Sequence, residues 1–237
     1  MVGMSSAQAQ EPIKLGAIYV LSGAANFLGV PEDHALRMCV DEANRAGGLK
    51  GQKINLTIYD TEGNTTKTAQ QLRRLIDTDH VDVVFGPSDS GESLAVVGLA
   101  NEAKVPILMH GGAEAITKPT TPYVFNTPPT DRIALTGLLS NLKKNGIKSV
   151  AMLSAADGFG QSGKNILNEL APSFGIRIAA QEEFGRLDMD ITPQVLRAKQ
   201  SGADAMIIWS ALPAPVIILR EAQAVGFKKP IYSSYGA

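Results

Sequence analysis

Small polar residues crowd the end of one apolar run. In VDVVFGPSDSGESLAVVGLA (residues 81–100), a strand-like stretch stops at Gly86-Pro87, passes through Ser88, Asp89, Ser90 and Gly91, and then resumes as a helical apolar pattern. Ser90 reads as the N-cap of a helix running through Leu94, Val97 and Leu99. A helix start offers unpaired N–H groups and a partial positive charge, so with Gly86 and Gly91 beside it this turn can hold an anion without Lys or Arg. A carboxylate suits it. A second glycine-rich turn, HGGAEAIT (110–117), follows the next apolar run, and its backbone N–H and C=O groups can meet the same ligand. Each turn could equally be a plain connection; two after adjacent strands are harder to dismiss than one.

Other chemistries fit poorly. In LSGAANFLGV, five residues separate Gly23 from Gly29 and no Lys follows, so the phosphate-binding loop pattern fails. The dinucleotide fingerprint is absent, and Asp60 at the end of the second strand reads as a turn aspartate. His34, His80 and His110 lie far apart with no metal-ligand spacing, and His80 suits a surface turn. GPSDSG misses the nucleophile-elbow spacing by one residue. The expected chemistry is therefore binding rather than catalysis, with no cofactor and no metal.

The elements that must carry these turns alternate along the whole chain. Strands are expected at 13–20, 53–60, 81–86, 105–110, 149–154, 176–184, 204–209 and 230–234. Helices are expected at 32–48, 65–79, 90–103, 131–145, 159–173, 192–201 and 213–225. Strands alternating with helices of this length mean parallel sheets covered on both faces. Ligands of such sheets lie beyond the carboxyl ends of the strands, where both glycine-rich turns fall. The proline-rich TPYVFNTPPTD reads as an irregular crossing between domains. The boundaries expected are a tail over 1–11, an N-terminal α/β lobe over 12–125 and a second α/β lobe over 126–237.

Composition narrows the partners. The 237 residues carry a net charge of -1, so nucleic acid is not expected. No apolar run is long enough to span a bilayer. Cys39, the single cysteine, is expected as a buried structural thiol in ALRMCVDEAN. Ala7-Gln8-Ala9 in SSAQAQEPIKL has the small-x-small pattern of a signal-peptidase site without the apolar stretch that should precede it, and reads as the remnant of a signal peptide or as a polar tail.

Taken in order, IKLGAIYVLSGAANFLG, DEANRAGGLKGQKINLTIYDTEGN, VVFGPSDSG, VPILMHGGAEAIT, FNTPPTD, ADGFGQSG and REAQAVGFKKPIYSS resemble a type I periplasmic solute-binding protein of the leucine/isoleucine/valine-binding class, from ABC importers. The resemblance runs from about residue 12 to the end. It implies two Rossmann-like lobes that close over a ligand, a location in the periplasm and an ABC transporter permease as partner. It implies that Ser90 and the backbone of Gly112 to Glu114 take the ligand carboxylate, with Ser88 and Asp89 beside them. Phe159 matches the aromatic that packs over the ligand, and Leu28 another wall.

The departures from the family pattern are specific. Glu114 stands where a small hydroxyl residue is usual, Ala211 where an aromatic is common, and Tyr235 where amino-acid binders carry the acid for the ligand ammonium. A flat or apolar carboxylate is therefore expected, an aromatic acid or 2-oxo acid ahead of a branched-chain amino acid, unless Glu114 supplies the missing charge. The family continues for roughly another hundred residues, a domain-sized stretch. The second lobe is thus expected to be incomplete, with pairing of two copies as a way to cover it. The alternatives are a ligand-sensing domain of a receptor or regulator, a nucleotide-dependent Rossmann enzyme, and a non-functional remnant.

Overall fold

The computed structural model describes residues 11–186 and 188–236. The signal-peptide reading of Ala7-Gln8-Ala9 lies outside the described residues. The chain divides into two compact units: residues 11–88, 95–109 and 122–125 form the first, and residues 89–94, 110–121 and 126–236 the second.

The first unit holds a parallel sheet. Its strands are β1 (Ile13–Tyr19), β2 (Ile54–Asp60), β3 (Val83–Phe85), β4 (Ile107–Met109) and β5 (Val124–Asn126), in the order β2-β1-β3-β4-β5. The crossovers are α1 (Asn26–Arg45), α2 (Thr65–Asp77) and α3 (Ser90–Ala103). β1 has both sheet neighbours, so its apolar run is buried from Leu15 to Tyr19. Leu15, Val40 and Ile54 centre one core cluster, joined by Leu36, Ala43 and Phe85.

Two expectations shift here. The helix expected over 32–48 starts earlier, at Asn26, ends at Arg45 and carries Pro31 inside it. TPYVFNTPPTD contains β5, a short edge strand whose prolines hide it from periodicity. A third expectation is corrected outright: Cys39 is exposed, because the buried stripe of α1 runs through Leu36, Val40 and Ala43, leaving Cys39 about one residue's rotation away. His80 lies in the exposed turn between α2 and β3 with a positive φ of 54°. Asp60 ties its loop together, accepting from the N–H groups of Leu21, Ser22 and Glu62 and from the Ser22 hydroxyl.

In the second unit the sheet order is β7-β6-β8-β9, from β6 (Ser149–Ala155), β7 (Arg177–Phe184), β8 (Ala205–Trp209) and β9 (Ile231–Ser233). All its pairings are parallel. Helices α4 (Asp131–Lys144), α5 (Gly158–Leu170), α6 (Thr192–Gln200) and α7 (Ala214–Ala224) accompany it. The central strands are buried at every position, and the period of two divides them between two cores. Val150, Met152, Ile207 and Trp209 pack with Leu135, Leu139, Ile166 and Leu167 from α4 and α5. Ala151, Leu153, Met206 and Ile208 pack with Val195 and Ile218 from α6 and α7.

One contact recurs in both units. A Cβ on Gly29 of α1 would stand 2.3 Å from the carbonyl oxygen of Val20, just past β1. A Cβ on Gly160 of α5 would stand 1.9 Å from that of Ala155, at the end of β6. Only a bare backbone lets each helix approach its strand this closely.

Candidate functional site

Strand direction gathers the second unit's polar groups at one end. Trp209 closes β8, Tyr235 follows β9, and the Gly158 start of α5 follows β6. Asp131 opens α4 on the same side of the sheet as Trp209, where a carboxylate in the first turn meets the positive end of the helix.

Ser90 is the first residue of α3 rather than its cap, a correction to the reading above. The cap is Asp89, whose Oδ1 accepts from the Glu92 N–H at 2.9 Å while Oδ2 accepts from Arg186 Nη1 at 2.8 Å. Ser-Asp-Ser offers three capping side chains in a row, and composition alone does not choose among them. Freed from capping, the Ser90 hydroxyl is buried and accepts from the N–H groups of Gly112 at 3.0 Å and Ala113 at 3.1 Å. A hydroxyl with both lone pairs engaged still has its proton to donate. The second glycine-rich turn is thus tied directly to the first.

Gly112 is the pivot. Its N–H goes to Ser90, and its carbonyl accepts from the Asp131 N–H at 2.9 Å. A Cβ there would lie 1.8 Å from the Tyr235 hydroxyl and 2.9 Å from the Phe159 ring, so the turn admits no side chain. Around it stand three rings. Phe159 meets Tyr235 edge-on at 5.4 Å and Trp209 at 5.7 Å, and Trp209 meets Tyr235 at 6.2 Å.

Asp131 is the residue that pattern reading missed. Its side chain is fully buried, and Oδ1 accepts from the Tyr235 hydroxyl at 3.1 Å. Oδ2 is buried without a hydrogen-bond partner, and so is Nε1 of Trp209. Burial pushes the carboxyl up to about 6, against the stabilising pull of Ser162, Tyr235 and Trp209. The signal available was the acid closing FNTPPTD, immediately before an apolar helix, which reads most simply as a helix start.

Glu114 turns away from this cluster. Its carboxylate is 2.6 Å from Arg132 Nε and 2.6 Å from Lys118 Nζ. Arg132 also holds Glu169 through both Nη atoms. Hydrogen bonds from Arg132 and Lys118 keep the Glu114 carboxyl at about 2. Only its backbone faces inward, donating to Ser162 Oγ at 3.3 Å.

Ser90, Gly112, Ala113, the Glu114 backbone, Phe159 and Tyr235 are therefore brought together. Ala211, half-buried, follows β8 beside Gly236. Leu28 and Ser88 belong to the first unit. Leu28 is half-buried on α1, and the Ser88 hydroxyl accepts from the Val20 N–H and donates to Glu32. Among the described residues, no group of three or more His, Cys, Asp or Glu is placed to hold a metal ion. None of the described helices is long and apolar enough to cross a membrane.

The model of one family, described as periplasmic binding protein, matches residues 12–237. This chain belongs to the periplasmic binding protein family. Its α/β fold of two parallel sheets is the type I form seen in the solved relatives. One curated relative is the Leu/Ile/Val-binding protein homolog 8 of Brucella abortus (strain 2308), 26% identical over 226 residues. That alignment covers 91% of this chain and 56% of the relative, so this periplasmic binding protein sequence spans little more than half the relative's length. Among solved structures, an extracellular ligand-binding receptor from Rhodopseudomonas palustris HaA2 superposes with a TM-score of 0.87 at 29% identity, over 96% of this chain and 62% of that one. The branched-chain amino acid transporter substrate binding protein of Streptococcus pneumoniae, solved in complex with isoleucine, superposes at 0.82 with 26% identity, over 94% of this chain and 64% of that one.

Proposed function

We propose that the chain serves as the solute-binding component of an ABC importer in the periplasm, where it captures a small organic carboxylate and presents it to a transporter permease. The observation that carries this reading is the cluster centred on Gly112: a donor hydroxyl from Ser90, a buried acid from Asp131 and three aromatic rings. Ring walls with a few fixed polar groups are what a small-molecule site requires. The Ser90 proton and the N-terminal turn of α3 suit the carboxylate. The Leu/Ile/Val-binding name of the Brucella relative and the isoleucine held by the Streptococcus protein support the same class of ligand. Water exclusion and shape, not bond chemistry, are the means by which such a protein acts.

A thermal-shift screen across amino acids, aliphatic acids and aromatic acids tests the reading. A bound ligand at a hundredfold excess over Kd adds about 2.7 kcal/mol, several degrees in melting temperature. No shift with any carboxylate would overturn it.

A further inference from the structure

Two glycines crowd the first turn of α3. A Cβ on Gly111 would stand 2.8 Å from the Cα of Ser90, and one on Gly158 would stand 3.0 Å from the nitrogen of Gly91. Gly158 is the first residue of α5, so the starts of two helices meet backbone to backbone at Ser90 and Gly91. Each start carries a partial positive charge, and each is capped by an aspartate. Asp89 Oδ1 accepts from the Glu92 N–H, and Asp157 Oδ1 accepts from the Gly160 N–H, both at 2.9 Å. These caps steady two like-charged helix ends, and they also set two carboxylates beside the turn that is to receive the ligand's own.

Arg186 answers them. It follows β7 in a turn closed on itself, where the Gly185 N–H donates to the Asp188 carboxylate at 2.7 Å and the Asp188 N–H to the Gly185 carbonyl at 3.0 Å. From that turn its Nη1 reaches Oδ2 of Asp89 at 2.8 Å, with both side chains largely buried. Burial works against the guanidinium charge, yet Asp89, Asp157 and Glu92 together raise its pKa above the ordinary arginine value. Asp157 also adds to the upward push of burial on Asp131, so charge on the caps is felt among the ring walls. Capping α3 needs only the oxygen that Glu92 engages, and a serine or asparagine would supply one. The second oxygen of Asp89 and its ion pair are left for another purpose. A charge next to Ser90, shielded from water, acts strongly on an incoming anion unless a cation offsets it.

We infer that Arg186 is a positioning residue of the ligand site: by holding Asp89 it keeps the cap's negative charge from opposing a carboxylate at Ser90. This rests on the carboxylate-binding reading above. The guanidinium acts through Asp89 and does not touch the ligand, so the pair, not the arginine alone, sets the preference for an acid.

The test is calorimetric titration of the full chain with leucine, 4-methyl-2-oxopentanoate and benzoate, on native protein and four variants. Arg186→Gln keeps a hydrogen-bond donor and drops the charge; it should weaken every acid that native protein binds by about ten- to hundredfold. Arg186→Lys keeps the charge and should stay within about fivefold of native. Asp89→Asn keeps the cap and should bind the same acids at least as tightly as native. The decisive variant carries Asp89→Asn and Arg186→Gln together, with neither charge, and should recover affinity to within about fivefold of native. A role in folding alone predicts the reverse, a double variant no better than Arg186→Gln, and that result would overturn the inference; so would the same result if the guanidinium held the ligand directly. Native affinity in Arg186→Gln would overturn it as well. Should far-UV circular dichroism show that Arg186→Gln does not fold, Arg186→Lys and the double variant decide by the same limits, and a larger loss in either overturns the inference. In each of those cases the carboxylate-binding reading survives; if native protein binds no acid of any kind, that reading fails and takes this one with it.

Discussion

The hydroxyl of Tyr235 donates to Oδ1 of Asp131 at 3.1 Å, across 104 residues of sequence. It joins the segment after β9 to the first turn of α4 and gives the buried carboxyl a side-chain hydrogen bond. Tyr235→Phe removes the donor and keeps the ring. The expected cost is about 1–3 kcal/mol, because a buried acceptor is left open. Denaturant unfolding of the ligand-free protein measures it; an unchanged midpoint would show that the bond contributes nothing.

Asp131 gives stability a pH dependence of definite sign. Its carboxyl titrates at about 6 in the folded chain against 3.8 in a free one, with burial as the cause. Between those values the folded state holds the proton more tightly, so stability is greatest below about pH 4 and is lost as pH rises towards 6. The loss is of order 2–3 kcal/mol. Asp131→Asn should abolish this fall, and Tyr235→Phe should move its end upward, since the tyrosine bond favours the charged form. Glu114 acts with the opposite sign in a lower window: held at about 2 by Arg132 and Lys118, it stabilises above 4.5 and loses that effect as pH drops towards 2. Melting temperatures from pH 2 to 8 on native protein and both Asp131 and Tyr235 variants separate the two.

Glu114→Gln should leave ligand affinity within about twofold of native while costing about 1 kcal/mol or less in stability. The carboxylate is committed to Arg132 and Lys118, and Arg132 retains Glu169 when it is removed. Titration with leucine decides: a large affinity loss in this variant would mean that Glu114, not Asp131, faces the ligand.

Ser90→Ala and Asp89→Ala should behave differently although they are neighbours. Asp89→Ala removes a helix cap and the partner of Arg186, and should cost more than about 1 kcal/mol in stability with binding retained. Ser90→Ala strands the N–H groups of Gly112 and Ala113, and should lower both stability and carboxylate affinity by about 1–3 kcal/mol. Unaltered carboxylate affinity in Ser90→Ala would remove Ser90 from the site.

Gly112→Ala places a methyl group against the Tyr235 hydroxyl and the Phe159 ring. Overpacking of this kind costs about 1–3 kcal/mol. In a Tyr235→Ala background the same change should cost less, because half of the clash is gone. Strict additivity of the two substitutions would contradict the packing described.

Much of this arrangement was legible in the chain. Alternating apolar runs placed nearly every strand and helix, because a parallel sheet covered on both faces demands that pattern. The two glycine-rich turns announced themselves by residue type, and they do meet, through Ser90. What stayed hidden were choices among chemically equivalent candidates and partners distant in sequence. Ser88, Asp89 and Ser90 are all capable caps, and only the backbone path selects Asp89. Glu114 could face inward or outward, and Arg132 settles it from 18 residues away. Asp131 looked like an ordinary first-turn acid, and nothing local shows that Trp209 and Tyr235 close around it.

The bare spots at Gly29 and Gly160 serve as alignment pins. The strand order β2-β1-β3-β4 in one half matches β7-β6-β8-β9 in the other, strand for strand. Fixing Gly29 on Gly160 superimposes two joints in which a helix backbone rests on the last peptide of a central strand. From that pin, Ser90's turn after β3 falls opposite Ser210's turn after β8, and the equivalence of every other loop can be read off by counting strands.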